Sequence, residues 1–204
     1  MIVIGLTGSI GMGKTTTADL FAGEGIPVHD ADRVVHDLYK REAVPSIESV
    51  FPGSVFDGVV DRQKLAENLA KNPANFKRLE EIVHPLVRER ERQFLDQRKQ
   101  AGDPVVLLDI PLLFETGAEK RVDVVVVVSC SEEIQRSRVM ARPGMTPEKF
   151  SLILSRQMPD AEKRARADFV VDTGISIEDA RRQVRAILAT LRAGSLKSEK
   201  TDNA

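Results

Sequence analysis

Short apolar runs rich in β-branched residues alternate with longer helical patterns along the chain. Five of these runs predict strands, at residues 2–6, 26–28, 105–110, 122–129 and 168–172. The runs are nearly continuous in apolar residues, which is typical of strands covered on both faces of a parallel sheet. Strands that alternate with helices indicate a doubly wound α/β fold, whose ligands bind beyond the carboxyl ends of the strands.

The segments between the runs carry the predicted helices. These are residues 14–23, 61–71, 73–83, 85–100, 131–141, 147–157 and 176 to about 192. Thr146 and Ser176 are residue types that cap helix N-termini, and they stand where the last two helices begin. The stretch from about residue 33 to 100 is too long for a plain crossover helix, so we expect a helical insertion there.

The composition excludes several classes of protein. The net charge is −1, from 30 basic and 31 acidic side chains, and it lacks the basic excess typical of nucleic-acid binders. Cys130 is the only cysteine, so no disulfide can form within the chain. The apolar start lacks the flanks of a signal peptide, and the longest apolar run is too short to span a bilayer. We therefore expect a soluble cytoplasmic protein that binds neither nucleic acid nor membrane.

Residues 8–15 fit the phosphate-loop pattern G-x-x-x-x-G-K-[ST] at every fixed position, between a strand pattern and a helix pattern. Glycines let backbone N–H groups approach phosphate oxygens, and the helix that follows adds the positive end of its dipole. Lys14 is expected to contact the β- and γ-phosphates, and the Thr15 hydroxyl to ligate Mg²⁺. We predict that ATP and Mg²⁺ bind here, at Gly8, Gly11, Met12, Gly13, Lys14, Thr15 and Thr16.

The residues around Asp109 favour a kinase over other nucleotide-binding proteins. An ATPase that drives motion usually follows this strand-end Asp with a Glu that activates water, whereas Ile110 and Pro111 follow here. The guanine-reading Asn-Lys-x-Asp motif of GTPases is not in the sequence. Both observations favour phosphoryl transfer to a bound hydroxyl. Asp109 itself has two open interpretations, a Mg²⁺ ligand or a strand terminator.

Asp30 and Asp32 follow the second predicted strand and could serve such a hydroxyl. A second strand parallel to the first brings both residues to the sheet edge that carries the phosphate loop. They face the same way if their segment is extended. One carboxylate could accept or orient the hydroxyl proton, or hold Mg²⁺ through water. The alternative is an Asx turn or a helix cap, because Asp is common in both.

Residues 136–166 are strongly basic, with eight basic and three acidic side chains. Arg138 and Arg142 share a helix face, and Gly144 follows as a hinge-like break. This pattern predicts a lid that closes over ATP and excludes water, and we favour a place in that lid for Arg142. The alternative is a solvated helix pair, which we favour for Arg136 and Lys149.

Several segments, taken together, resemble the dephospho-CoA kinase family. The opening Ile-Gly-Leu-Thr-Gly-Ser-Ile-Gly-Met-Gly-Lys-Thr-Thr is similar to the family's phosphate loop, and residues 28–32 resemble its strand followed by D-A-D. Residues 84–88 are similar to its H-P-x-[VI]-R segment and residues 109–115 to its D-[IV]-P-L-L-[FI]-E block. Residues 142–145, 157–158 and 163–168 resemble its lid and the segment after it. The resemblance covers about residues 2–175, with mild departures at Ser9 and Pro143, where Gly and Asp are usual.

The resemblance implies transfer of the γ-phosphate of ATP to the 3′-hydroxyl of dephospho-CoA, the last step of coenzyme A synthesis. It implies that Asp32 is the base, beside the phosphate-binding Lys14, and that Arg138 and Arg142 belong to the ATP site. The residues expected at the acceptor are Asp30, Asp32, His84, Arg88, Leu112, Leu113 and Glu115. Without the resemblance, Arg88 is more simply part of a solvated helix face, His84 a helix-start residue, and Leu112 and Leu113 core.

These inferences combine into one predicted kinase domain over residues 1–193. Its core takes up about residues 1–32, 101–130 and 165–193, its acceptor-binding insertion about 33–100 and its lid about 131–164, before a disordered tail at 194–204. We expect a monomer or small homo-oligomer. Two alternatives stay open: another small-molecule or nucleoside monophosphate kinase, and a module that senses ATP without chemistry.

Overall fold

The structure is a computed structural model that describes residues 1–194, so the tail predicted to be disordered lies, apart from Gly194, outside the described residues. Five parallel strands form its central sheet, in the spatial order β2-β5-β1-β6-β7. Their bounds are Ile2–Thr7 for β1, Val28–Asp30 for β2, Val105–Asp109 for β5, Val124–Ser129 for β6 and Phe169–Asp172 for β7. All five predicted strands are confirmed, with ends that shift by one or two residues.

The side chains of β6 show why these strands are continuous apolar runs. Val124, Val126 and Val128 belong to one hydrophobic cluster, together with residues of the helices α1 (Lys14–Gly23) and α9 (Ile177–Arg192). Val125 and Val127 point to the opposite face and pack in a second cluster. Because successive residues of a strand face opposite sides, a strand covered on both faces must be apolar throughout.

Three further helices and a short 3-10 turn lie between β5 and α9 along the chain. They are α6 (Glu132–Met140), α7 (Pro147–Leu154), α8 (Asp160–Ala165) and the turn at Ala118–Arg121. Side-chain oxygens of Ser131, Thr146 and Ser176 accept hydrogen bonds from the first turns of α6, α7 and α9, which confirms the predicted caps at Thr146 and Ser176. The helix predicted over residues 147–157 corresponds to α7, which is shorter than expected and ends at Leu154.

The chain divides into two compact units. Among the described residues, the core unit comprises Met1–His29 and residues 102–194, and it contains most of the central sheet. The helical unit, Asp30–Ala101, holds α2 (Ala31–Leu38), α3 (Val44–Val50), a hairpin of β3 (Val55–Phe56) and β4 (Val59–Val60), α4 (Arg62–Lys71) and α5 (Ala74–Gln100). It has a hydrophobic core of its own, built around Leu38, Ile47 and Leu65.

The longest helix corrects a prediction. Residues 73–83 and 85–100 were expected as two helices, but α5 runs without a break from Ala74 to Gln100 and contains Pro85. The alternative interpretation of His84 as a helix-start residue is therefore wrong, because His84 lies well inside α5. Within residues 1–194, no helix combines the length and the hydrophobicity that crossing a membrane would require.

Candidate active site

The phosphate loop connects β1 to α1 and ends in an unusual cap. Gly13 stands at the N-cap of α1 with a φ of 89°, and Gly11 has a φ of 80°; both values lie in the left-handed region that favours glycine. The backbone N–H groups of Lys14, Thr15 and Thr16 belong to the first turn of α1, where helix geometry provides no acceptor. These donors and the positive end of the helix dipole make an anion-binding site.

Two glycines of the loop are also required by packing. A Cβ atom on Gly8 would lie 2.3 Å from Cγ2 of Val128 on β6. A Cβ atom on Gly11 would lie 2.5 Å from Cγ2 of Val139 on α6. The loop therefore passes so close to both elements that no larger residue fits without a shift of the backbone.

Lys14 forms an ion pair with Asp109 at the carboxyl ends of neighbouring strands. Its Nζ donates to Oδ1 of Asp109 over 2.6 Å, and the two side chains are only 15% and 4% exposed. A charge buried to this extent is costly without a partner, and the ion pair compensates part of that cost for both residues. Asp109 is therefore more than a strand terminator, because it places a carboxylate beside the lysine of the phosphate loop.

Side chains from three other segments brace the phosphate loop, and the sequence did not predict them. Oγ1 of Thr173 donates to the carbonyl of Met12 over 2.8 Å. Nε2 of Gln135 donates to the carbonyl of Ile10 over 2.7 Å, and Oε1 of Gln157 accepts from the N–H of Ile10 over 3.1 Å. Polar side chains that bind backbone leave no periodic signal in a sequence. For Thr173, the only available sequence signal was its position directly after β7.

The two lid arginines lie in different surroundings. Arg138, on α6, donates to the carbonyl of Thr173 over 2.7 Å and to its Oγ1 over 3.1 Å, so it is tied to the residue that braces Met12. Arg142 lies just beyond the end of α6 and is exposed. Arg138 therefore has a fixed place next to the phosphate loop. Contact of either arginine with ATP stays a prediction.

A buried ion pair connects α8 to the segment after β5. Lys163 is completely buried, and its Nζ lies 2.9 Å from Oε1 of Glu115. The same oxygen accepts a hydrogen bond from the N–H of Met158 over 2.8 Å. Burial acts to raise the pKa of Glu115, but the bonds from Lys163 and Met158 outweigh it and lower the pKa. Lys163 therefore adds no charge to the surface of the predicted basic lid.

The neighbours of Glu115 differ in exposure. Leu113 is completely buried in a hydrophobic cluster with Phe114 and Val127, so the structure supports the core interpretation for Leu113. Leu112 is 39% exposed, which leaves a surface for a ligand to contact. Of the residues of this block expected at the acceptor, Leu112 presents the clearest surface.

In the helical unit, Asp30 and Asp32 lie where the chain changes from strand to helix. The helix α2 begins at Ala31, directly after β2, and Asp30 is its N-cap, whose Oδ1 accepts from the N–H of Arg33 over 3.0 Å. The side chains of Asp30 and Asp32 were expected to face the same way only if their segment is extended, and that condition is not met because Asp32 lies in α2. The cap interpretation is confirmed for Asp30, and Asp32 is exposed in the first turn of α2.

Asp32 lines a cavity of about 490 Å³ within the helical unit. Its lining combines apolar side chains, among them Leu65, Leu69 and Leu79, with the polar side chains of Asp32, His36 and Arg62. Tyr39 also lines it, and burial raises the pKa of this phenol against the opposing effect of the Arg62 charge. A cavity of this size with convergent polar groups is typical of a small-molecule site.

The helix α5 carries the remaining predicted acceptor residues. His84 and Arg88 are both exposed, while Leu86 and Val87 between them pack against the core of the helical unit. Arg92 pairs with Glu89 and Asp96 along the same helix, at 2.7 Å and 3.1 Å, as residues of a solvated helix face do. His84 and Arg88 thus remain available to a ligand.

Comparisons with known proteins identify the family of the chain. The family model of dephospho-CoA kinase matches residues 2–179. A dephospho-CoA kinase from Agrobacterium fabrum is 68% identical over 193 residues, which are 95% of this chain and 100% of the relative.

Solved structures give the same result. The crystal structure of a Thermus thermophilus protein matches with 38% identity and a TM-score of 0.79, over 93% of this chain and 97% of that one. A dephospho-CoA kinase from Campylobacter jejuni matches with 25% identity and a TM-score of 0.73, over 95% of this chain and 98% of that one. These findings confirm the resemblance that the motifs indicated. The chain belongs to the dephospho-CoA kinase family.

Proposed function

We propose that this protein transfers the γ-phosphoryl group of ATP to the 3′-hydroxyl of dephospho-CoA and so produces coenzyme A. The observation that carries the proposal is the buried Lys14–Asp109 pair beside a complete phosphate loop. Family membership supports the choice of acceptor. A cytoplasmic location and a monomeric or small homo-oligomeric state stay predictions.

The core unit supplies the ATP site in this proposal. The N–H groups of residues 11–16 bind the phosphates, with the N-terminus of α1 directed at the negative charge. Lys14 has three donors, so it can contact the β- and γ-phosphates while it keeps its bond to Asp109. Preorganised donors of this kind stabilise the charge that develops on the transferred group.

Thr15 and Asp109 are the residues that we propose for Mg²⁺. Thr15 is exposed in the first turn of α1, and the Asp109 carboxylate lies beside Lys14, so both offer the hard oxygen ligands that this ion prefers. Mg²⁺ in kinases takes most of its ligands from phosphates and water. Among the described residues, no three His, Cys, Asp or Glu side chains form a group that could hold a metal ion. When bound, the ion neutralises phosphate charge.

Asp32 is our proposal for the base that accepts the proton of the attacking hydroxyl, with Asp30 holding its helix in place as the N-cap. The support is topological. The strand β2 belongs to the same parallel sheet as β1, and α2 begins directly after β2 ends. The carboxyl ends of parallel strands share one edge of a sheet, which is where ligands of this fold bind.

The cavity beside Asp32 is our proposal for part of the acceptor site. Its leucine side chains suit an apolar or aromatic part of dephospho-CoA, and Arg62 and His36 can bind polar groups of the same molecule. His84 and Arg88 on α5, together with Leu112 and Glu115 of the core unit, are further acceptor contacts in this proposal. We propose that Arg138 and Arg142 bind ATP from the lid.

A coupled assay of ADP release, with and without dephospho-CoA, tests the proposed function. We expect ADP release that depends on dephospho-CoA and exceeds the rates with AMP, nucleosides or gluconate. Preference for one of those acceptors would establish a different small-molecule kinase. Tight ATP binding with no ADP release for any acceptor would instead indicate a nucleotide-sensing module, and the proposal would be abandoned.

A further inference from the structure

The backbone of Ile10, in the middle of the phosphate loop, is held on both sides by glutamine side chains. Gln157 accepts from its N–H over 3.1 Å, and Gln135 donates to its carbonyl over 2.7 Å. We propose that Gln135 and Gln157 are positioning residues, which fix the shape of the phosphate loop and so set its affinity for ATP. The inference deepens the proposed function, on which it rests.

The turn around Ile10 explains what the bond from Gln135 does. The N–H of Met12 donates to the carbonyl of Ser9, so residues 9–12 form a β-turn. The φ of 80° at Gly11 is the value of the third residue of a type II turn. The central peptide of a β-turn can take two opposite orientations, and the bond from Gln135 to the Ile10 carbonyl selects one of them.

That choice decides where the next backbone donor points. In a planar trans peptide, the carbonyl of one residue and the N–H of the next point in opposite directions. With the Ile10 carbonyl directed at Gln135, the Gly11 N–H is directed away from Gln135. Gly11 is one of the loop residues that we propose for phosphate binding, so Gln135 orients a donor of the ATP site without contacting ATP itself.

Gln157 restrains the preceding peptide, and its own position is fixed by the buried ion pair. The N–H of Met158, the next residue, donates to Oε1 of Glu115, and that oxygen also lies 2.9 Å from Nζ of the completely buried Lys163. A side chain supported in this way holds its partner at low conformational cost. Gln157 therefore connects the end of the predicted lid to the phosphate loop.

The test replaces each glutamine by methionine, which keeps the length of the side chain but removes its hydrogen bonds. Isothermal titration calorimetry with ATP, without any acceptor, gives the dissociation constant, and thermal unfolding gives Tm. Loss of one such bond is expected to raise the dissociation constant about 10-fold. Because both bonds hold one residue, the double variant is expected to lose less than the product of the single effects.

Asn75→Leu is the matched control, because Nδ2 of Asn75 also binds a backbone carbonyl, that of Asn68, over 2.8 Å. It is expected to lower Tm and leave the affinity for ATP unchanged. If Gln135→Met does not fold, Gln157→Met decides alone, since Gln157 is only half-buried. Lower Tm with unchanged ATP affinity in the folded glutamine variants would overturn this inference alone. Failure of the unchanged protein to bind ATP would overturn the proposed function with it.

Discussion

At the scale of single residues, Asp32 gives the sharpest test of the reaction. Asp32→Asn keeps the size of the side chain but cannot accept a proton, so turnover with dephospho-CoA is expected to fall by at least ~10²-fold. The affinity for ATP is expected to stay the same, because the phosphate loop is unchanged. Initial rates and ATP titrations measure the two quantities.

Two further variants make the Asp32→Asn result specific. Asp37→Asn changes an exposed carboxylate on the same helix and is expected to keep full turnover. Lys14→Ala is expected to weaken ATP binding and turnover together, because it removes the proposed phosphate contact and the buried ion pair with Asp109. Normal turnover of Asp32→Asn would exclude Asp32 as the base.

Single residues differ in how well a sequence predicts their surroundings. The phosphate loop was predictable because its spacing follows from the geometry of a helix N-terminus. Gln135 and Gln157 were not, since they bind backbone groups of a residue far away in sequence. The position of Lys163 was also unpredictable. A lysine counts as a surface charge until a buried partner such as Glu115 is known.

At the scale of elements, Pro85 is the anomaly of α5. It has no N–H to donate to the carbonyl of Glu81, and its ring crowds that carbonyl. Pro85→Ala is therefore expected to raise the free energy of unfolding by on the order of 1–2 kcal/mol. The matched control is Pro45→Ala in the first turn of α3, where proline costs little, and no gain is expected there. Urea denaturation measures both, and equal changes in the two variants would contradict the argument.

The Glu115–Lys163 pair makes the attachment of α8 depend on pH. The pKa of Glu115 is lowered from its ordinary value of 4.5, so the unfolded chain takes up its proton first as the pH falls. The stabilisation is thus fully present above that value and is lost as the pH falls through the lower, folded pKa. The deficit in unfolding free energy of Glu115→Gln is therefore expected to be large at neutral pH and to shrink in acid.

Urea denaturation of both proteins between neutral pH and about pH 3 measures that deficit. Glu67→Gln, at an exposed position of α4, serves as the control and is expected to show little deficit at any pH. A deficit of Glu115→Gln that stayed constant down to the acid end would show that ionisation of Glu115 does not stabilise the fold.

Elements were predictable where a strong pattern determines them and uncertain at their ends. The strands of the sheet follow from runs that must be apolar on both faces. The break expected before Pro85 is absent, because α5 tolerates one missing hydrogen bond within 27 residues. The helix α2 was not among the predicted helices, because the sequence left open whether Asp30 and Asp32 belong to an extended segment, a turn or a helix cap.

At the scale of the whole molecule, the two compact units predict two separable responses to ligands. ATP alone is expected to slow hydrogen exchange in the phosphate loop, because binding stabilises the groups that hold it. Addition of dephospho-CoA is expected to slow exchange in the helical unit, above all around the cavity beside Asp32. Hydrogen exchange with mass spectrometry measures both, and protection of the helical unit by ATP alone, with none added by dephospho-CoA, would contradict this division of roles.

The overall architecture was the most predictable level, because alternating strands and helices leave few other topologies. The extra helices between residues 33 and 100 were predictable, because that stretch is too long for a plain crossover helix. The hairpin β3–β4 was not predictable, since strands of two residues are too short to show a hydrophobic period in the sequence. The cavity beside Asp32 was equally unpredictable from the sequence, because the residues of α2 and α4 that line it come together only when the chain folds.

The contact between Gly8 and Val128 has a consequence for anyone who redesigns this enzyme. The two positions are 120 residues apart, yet they compete for one small volume, since a methyl group at residue 8 would overlap the valine side chain. A library that randomises the phosphate loop alone will return glycine there. Shortening residue 128 would not open alternatives, because the same Cβ atom would also lie 2.9 Å from the backbone carbonyl oxygen of residue 128, so glycine is best kept at position 8.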